Sequence, residues 1–138
     1  MIAQVIDPRT LLMSATGLFV RIDFGAGERL GPGKIQLLES IRTHGSISAA
    51  ARAIGMSYRR AWLLVENLNA LFGEASVATR VGRTQGGGAV LTPFGERLVQ
   101  LFREIEVEAA RANRAALAEL ERARVSRPRS GGSARAVD

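Results

Sequence analysis

The clearest hydrophobic period in the chain lies between residues 58 and 72. Ala61, Leu64, Val65, Leu68, Leu71 and Phe72 recur so that, at about 100° per residue, they fall in one stripe of a helix, with Arg59, Leu63, Glu66 and Ala70 opposite. Ser57 is placed to cap this helix. A shorter pattern precedes it: Ser46 caps a helix whose inner face is Ile47, Ala50, Ala51 and Ile54, and Gly55 ends it. Before that, Gly31-Pro32-Gly33 opens a helix with proline in its first position, where a missing N–H costs nothing. Ile35, Leu38 and Ile41, with Leu37 beside them, form its buried face, and Gly45 is a left-handed stop.

Strand periodicity is weaker. Leu18 to Phe24 alternates if Phe19 is allowed as an exception, which predicts a strand that Gly25-Ala26-Gly27 breaks. After Gly73, Val77 to Val81 is β-rich, Gly82 to Gly88 is a loop, and Ala89-Val90-Leu91 returns, which predicts a hairpin with a glycine-rich tip. Thr92 and Pro93 are an N-cap and first-turn pair. From there residues 92–124 read as one helix of roughly 33 residues, about 50 Å long, with Phe94, Leu98, Leu101, Phe102, Ile105, Ala109, Ala112, Ala116 and Leu120 along one side. The expected organisation is an arm over 1–17, a domain over 18–91, the long helix over 92–124 and a disordered basic tail over 125–138.

Helix, short helix, three-residue turn and helix is the helix-turn-helix pattern. It needs a small side chain where the helices cross, a glycine free to take positive φ in the turn and apolar anchors on the second helix. Ala51, Gly55, Ala61 and Leu64 meet those needs, with an ordinary helical hairpin as the alternative. In a DNA reader the start of the third helix enters the major groove. Ser57, Tyr58, Arg59 and Arg60 occupy that start, and Ser46 caps the helix before it. Arginines bind guanine edges or phosphates, and hydroxyls donate to phosphates; a merely solvated face is the competing account. The hairpin would be a wing, with Arg80, Arg83, Thr84 and Gln85 near glycines that let backbone approach a phosphate, or else a turn that touches nothing. The fold class expected is mainly α with a small β wing, a winged helix-turn-helix followed by a long dimerisation helix.

Composition sharpens this picture. The chain has 138 residues, a size for one core, and a net charge of +6 from 19 basic and 13 acidic residues. The excess is concentrated: residues 31–73 carry +3, 74–91 carry +1 and the tail +2, while 92–124 balance six arginines against six glutamates. Lys34 is the only lysine, a bias that suits phosphate recognition or reflects genomic base composition. With no cysteine, and His44 as the only histidine, thiolate chemistry is excluded, and no catalytic or metal-binding cluster can be assembled. Gly25-Ala26-Gly27 lacks the third glycine of a dinucleotide loop, and Gly33-Lys34 is followed by Ile35 instead of Ser or Thr. No secretory leader and no bilayer-spanning segment is legible, so a cytoplasmic protein without a membrane partner is expected.

Gly45-Ser-Ile-Ser-Ala-Ala-Ala-Arg-Ala-Ile-Gly-Met-Ser-Tyr-Arg-Arg-Ala-Trp62, Asn67-Leu-Asn69 and Gly86-Gly-Gly-Ala-Val-Leu-Thr-Pro-Phe-Gly-Glu-Arg-Leu98 together resemble the N-terminal domain of ModE-type molybdate-responsive transcription regulators, and more distantly the LysR type. The resemblance covers about residues 18–106. It implies a winged helix that dimerises in part through its last helix and binds palindromic operators of molybdate-transport genes. Carried over, the recognition helix is Ser57 to Phe72 and the wing Arg80 to Ala89. Family members continue into β-rich molybdate-binding domains, whereas this chain runs into Arg127-Pro-Arg-Ser-Gly-Gly. No cofactor is therefore expected in it, and molybdate sensing would fall to a separate effector-binding protein. The expected partners are double-stranded DNA and a second copy of the chain. A dimeric protein-interaction module that has lost DNA binding is the alternative.

Overall fold

A computed structural model describes residues 16–80 and 88–125. The chain divides into two compact units, residues 18–109 and the remainder, with the boundary inside the fourth helix.

The first unit begins with a hairpin of β1 (Ile22–Gly25) and β2 (Glu28–Leu30). Ile22 pairs with Leu30 and Asp23 with Arg29, antiparallel. The strand expected over Leu18 to Phe24 is thus shorter. Its partner has only three residues before Gly31-Pro32 turns into a helix, so no ladder reaches back beyond Ile22. Gly25-Ala26-Gly27 is a turn between strands and not a terminus, with positive φ at all three residues.

Three helices follow: α1 (Pro32–His44), α2 (Ile47–Ala53) and α3 (Tyr58–Phe72). Each boundary has a local cause. Pro32 opens α1, and Gly45 closes it at φ 76° while donating its N–H to the Ile41 carbonyl. Ser46 accepts the Ala49 N–H at 3.0 Å and Ser57 the Arg60 N–H at 3.2 Å, each cap contributing about 1 kcal/mol. Gly55, at φ 68°, makes the turn between α2 and α3.

The core is aliphatic. Ile35, Leu37, Leu38 and Ile41 of α1 are wholly buried against Ala50 and Ala51 of α2 and Ala61, Val65 and Leu68 of α3. Each large aliphatic side chain removed from water in this way contributes roughly 1.5–3 kcal/mol. The alanines set how closely α2 can approach its neighbours. The one polar group sealed between α1 and α2 is satisfied, since Ser40 Oγ donates to the Ala50 carbonyl at 2.9 Å.

A second antiparallel hairpin pairs β3 (Val77–Thr79) with β4 (Ala89–Leu91). Its base is held on two sides: Ala89 N–H donates to the Gly45 carbonyl at 2.8 Å, and Thr92 N–H to the Ser76 carbonyl at 3.0 Å. Thr92 caps α4 (Pro93–Ala112) by accepting the Gly95 N–H at 3.0 Å. Gly95 lies so close to the strand that a Cβ there would stand 2.1 Å from the Ser76 carbonyl oxygen. Leu98, Val99 and Phe102 seal the core from α4.

The long helix expected over 92–124 is two helices. Asn113 leaves helical geometry at φ −109° and ψ 13°, and α5 (Arg114–Ala123) starts from its carbonyl, which accepts the Leu117 N–H at 2.9 Å. Asparagine is a weak helix former that competes for backbone groups. No residue of α5 is buried, so no core side chain opposes the break. The proposed arm over 1–17, apart from Thr16 and Gly17, and the tail beyond Val125 lie outside the described residues. Among the described residues no helix is long and apolar enough to cross a membrane.

Candidate nucleic-acid interface

The helix-turn-helix is α2, the Ile54-Gly55-Met56-Ser57 turn and α3. Gly55 and Met56 donate to the Arg52 and Ala51 carbonyls at 3.2 and 2.9 Å, so the turn closes on the end of α2. Tyr58, Arg59 and Arg60 then occupy the first turn of α3 and are all exposed, Tyr58 by 54%. Arg59 lies opposite the Ala61–Val65–Leu68 stripe that faces the core. The helix's positive dipole end adds to these two guanidinium charges.

Between Glu39 and Glu66 the sequence contains no acidic residue, while it contains Arg42, Arg52, Arg59 and Arg60. Arg42 is paired with Glu96 at 2.8 Å. Arg52, Arg59 and Arg60 have no ion pair among the described residues. Arg52 was not singled out from the sequence. The acid-free interval around it was the available signal, and its place in the last turn of α2 puts it beside the turn into α3.

Ser46 and Ser57 both serve as N-caps. A capping hydroxyl accepts through a lone pair and keeps its proton, so each can still donate to an external oxygen. Trp62 packs against the core from the flank of α3. Its indole Nε1–H also donates to the Tyr58 hydroxyl, at 2.6 Å.

The hairpin stands next to this surface. Gly45 immediately precedes Ser46, and its carbonyl takes the Ala89 N–H, which ties the wing base to the start of α2. Arg80 is exposed at the last described position of the outgoing arm, its N–H bonded to the Gly88 carbonyl at 2.8 Å. Arg83, Thr84 and Gln85 lie outside the described residues.

On the other side of the hairpin, Asn69 of α3 accepts both the Ser76 N–H and the Ser76 hydroxyl at 2.8 Å. Thr92 donates to the Ala75 carbonyl at 2.6 Å. Asn69 therefore couples the end of the third helix to the strand leading into the wing. This role was not visible in the sequence, because the bonded groups lie seven residues apart across an irregular turn.

Two cations away from this surface have structural employment. Arg103 of α4 grips Glu39 of α1 with two nitrogens, at 3.2 and 2.6 Å, and also binds Glu106. Burial opposes the Arg103 charge, but the hydrogen bonds from Glu39 and Glu106 outweigh it and raise its pKa. Lys34 donates to the Arg29 carbonyl at 2.8 Å, and burial together with the Arg29 charge lowers its pKa.

No family model matches the chain. Individual relatives do. The molybdenum transport protein ModE of Azotobacter vinelandii is 39% identical over 98 residues, 70% of this chain and 36% of that protein. The molybdenum-pterin-binding protein MopB of Rhodobacter capsulatus is 45% identical over 85 residues, 62% of this chain and 32% of that protein.

Over these stretches the chain is similar to the ModE regulators.

The DNA-binding transcriptional dual regulator ModE of Escherichia coli K12 is 44% identical over 71 residues, covering 51% of this chain. The chain spans about a third of the length of the ModE and Mop relatives it matches. Among solved structures, the CbnR DBD–DNA complex aligns with a TM-score of 0.49 at 20% identity, over 64% of this chain and 95% of that one. Full-length LysG of Corynebacterium glutamicum aligns at 0.48 and 25% identity, over 66% of this chain and 29% of that one.

Proposed function

We propose that this chain is a transcriptional regulator of the ModE type that binds double-stranded DNA as a homodimer, acting in the cytoplasm on genes of molybdate transport or molybdenum use. The observation that carries the reading is the start of α3. Two exposed arginines stand there, without carboxylate partners among the described residues, on a helix whose opposite face is anchored in the core. The names of the relatives, two of which couple ModE to molybdenum transport and to DNA-binding regulation, supply the gene class.

In this mechanism α3 lies in the major groove and Arg59 reads base edges or phosphate, while Arg60, Ser57 and Ser46 fix its orientation on the backbone. Arg52 adds charge beside the turn. Arg80, Arg83, Thr84 and Gln85 of the wing reach the flanking backbone. Leu101 and Ile105, one helical turn apart on α4 and 40% and 42% exposed, offer a seam to a second copy. Two recognition helices would then enter successive grooves about 34 Å apart.

Selection of bound duplexes from a random pool, followed by gel shift across salt, tests the reading. A palindrome bound with steep salt dependence is expected. Failure to retain any duplex at low salt would instead favour a dimeric interaction module built on the exposed side chains of α4.

A further inference from the structure

Trp62 is the only tryptophan and Tyr58 the only tyrosine of the chain, and they sit one helical turn apart on α3, joined by the 2.6 Å hydrogen bond from indole Nε1 to the phenol oxygen. The two residues differ in what holds them. Trp62 is half-buried and packed against the core, whereas Tyr58 is 54% exposed at the outer end of the helix. The bond therefore runs from a fixed group to one that faces solvent.

Its direction matters chemically. An indole N–H can only donate, and a phenol has one proton and acceptor lone pairs. With Trp62 on a lone pair, the phenolic proton stays available, and accepting one hydrogen bond strengthens the donation of another. Phosphate oxygens are acceptors only. The pair is thus set to recognise an acceptor, with the phenol held in one orientation before the ligand arrives, which lowers the ordering cost of binding.

From this we infer that Trp62 is a positioning residue for DNA binding: it orients the Tyr58 hydroxyl as a donor to a backbone phosphate beside the start of the recognition helix. The inference rests on the proposed DNA-binding function and assigns a part to two residues on the same surface. Arg59 and Arg60, the next two residues, supply the long-range attraction, and the Tyr58–Trp62 pair supplies a neutral, directional contact.

The test compares Tyr58→Phe, Trp62→Phe and the double variant with the wild-type chain, using a duplex selected from a random pool by the wild type and a duplex of unrelated sequence. Each single variant should lose about tenfold to 100-fold in affinity of the dimer for the selected duplex, one net hydrogen bond of about threefold to tenfold in each protomer. The double variant should lose no more than Tyr58→Phe alone, because Trp62 acts through the phenol. Ethylation interference supplies a readout that a loosened fold would not reproduce: the same phosphate should drop out of the footprint in both single variants while the others persist. Tyr58→Phe keeps Trp62 and its packing, so the phenol's part is measured even if Trp62→Phe unfolds. In Tyr58→Phe the fluorescence of Trp62, freed of its acceptor, should shift.

Losses that multiply in the double variant, or a uniform fading of all phosphates in Trp62→Phe, would overturn the inference while leaving DNA binding intact. So would full affinity in Tyr58→Phe. A wild-type chain that binds neither duplex would overturn the functional reading and this inference together.

Discussion

Arg42 and Arg103 each meet a carboxylate from another helix, whereas Arg52, Arg59 and Arg60 meet none among the described residues. The two groups are the same chemistry in different employment. Arg103 is three-quarters buried and bonded to Glu39 and Glu106, so its charge is satisfied inside the fold and binds α4 to α1. The helix-turn-helix arginines leave their charge facing solvent, where it is available to an external anion. Net charge alone does not distinguish the two. The difference lies in whether folding brings a carboxylate within reach, and within the helix-turn-helix and the helices packed on it the proposed DNA-facing arginines are among those it leaves without one.

The largest effect is expected from reversing the unpaired set. Arg59→Glu with Arg60→Glu should cut duplex affinity at least about 100-fold at 0.1 M salt, since attraction is replaced by repulsion against phosphate, while thermal stability changes by less than about 0.5 kcal/mol. Parallel gel shift and thermal melts check both halves. If the melt collapses as well, these arginines belong to the scaffold after all.

A change at the wing base should do the opposite. Gly95→Ala puts a methyl group 2.1 Å from the Ser76 carbonyl oxygen, and the backbone shift needed to relieve it should cost about 3 kcal/mol, at the upper end for overpacking. Urea unfolding would measure it. An unchanged midpoint would contradict the close approach of α4 to the strand before the wing.

Arg59→Ala is expected to weaken binding by about 1–3 kcal/mol and to relax specificity at one position if its contact is to a base edge. Competition between the selected site and its single-base variants distinguishes that from a phosphate contact, where the loss is uniform. The smallest effect is expected at Arg103→Ala, roughly 1 kcal/mol of stability for a partly exposed bidentate pair, with duplex affinity unchanged once the chain is folded.

How much of this was legible in the sequence depends on the range of the cause. Helices α1 to α3 were legible because their limits are set locally, by Pro32, Gly45, Ser46, Gly55 and Ser57. β2 was not, since Glu28 and Arg29 carry no strand period and form one only by pairing back onto β1. The break at Asn113 was hidden because a run of arginine, alanine and glutamate continues across it, and a single asparagine weighs little until packing fails to hold the helix.

The candidate site divides in the same way. Tyr58, Arg59 and Arg60 follow from their place after a cap, and the Tyr58–Trp62 spacing of one helical turn was open to reading. Which arginines are neutralised was not: Glu39 and Arg103 are 64 residues apart, and only the packing of α4 on α1 makes them partners. Arg52 was within reach of the sequence, through the acid-free interval between Glu39 and Glu66.

The salt dependence of duplex binding tests the distinction most directly. The slope of log affinity against log salt falls by about 0.9 for each phosphate contact removed. Neutralising Arg59 and Arg60 together as glutamines should therefore flatten the slope of a dimer by up to about 3.6, four contacts at that value, while Arg42→Gln with Arg103→Gln should leave the wild-type slope. Equal slopes in the two double variants would contradict the account, because paired and unpaired arginines would then contribute alike.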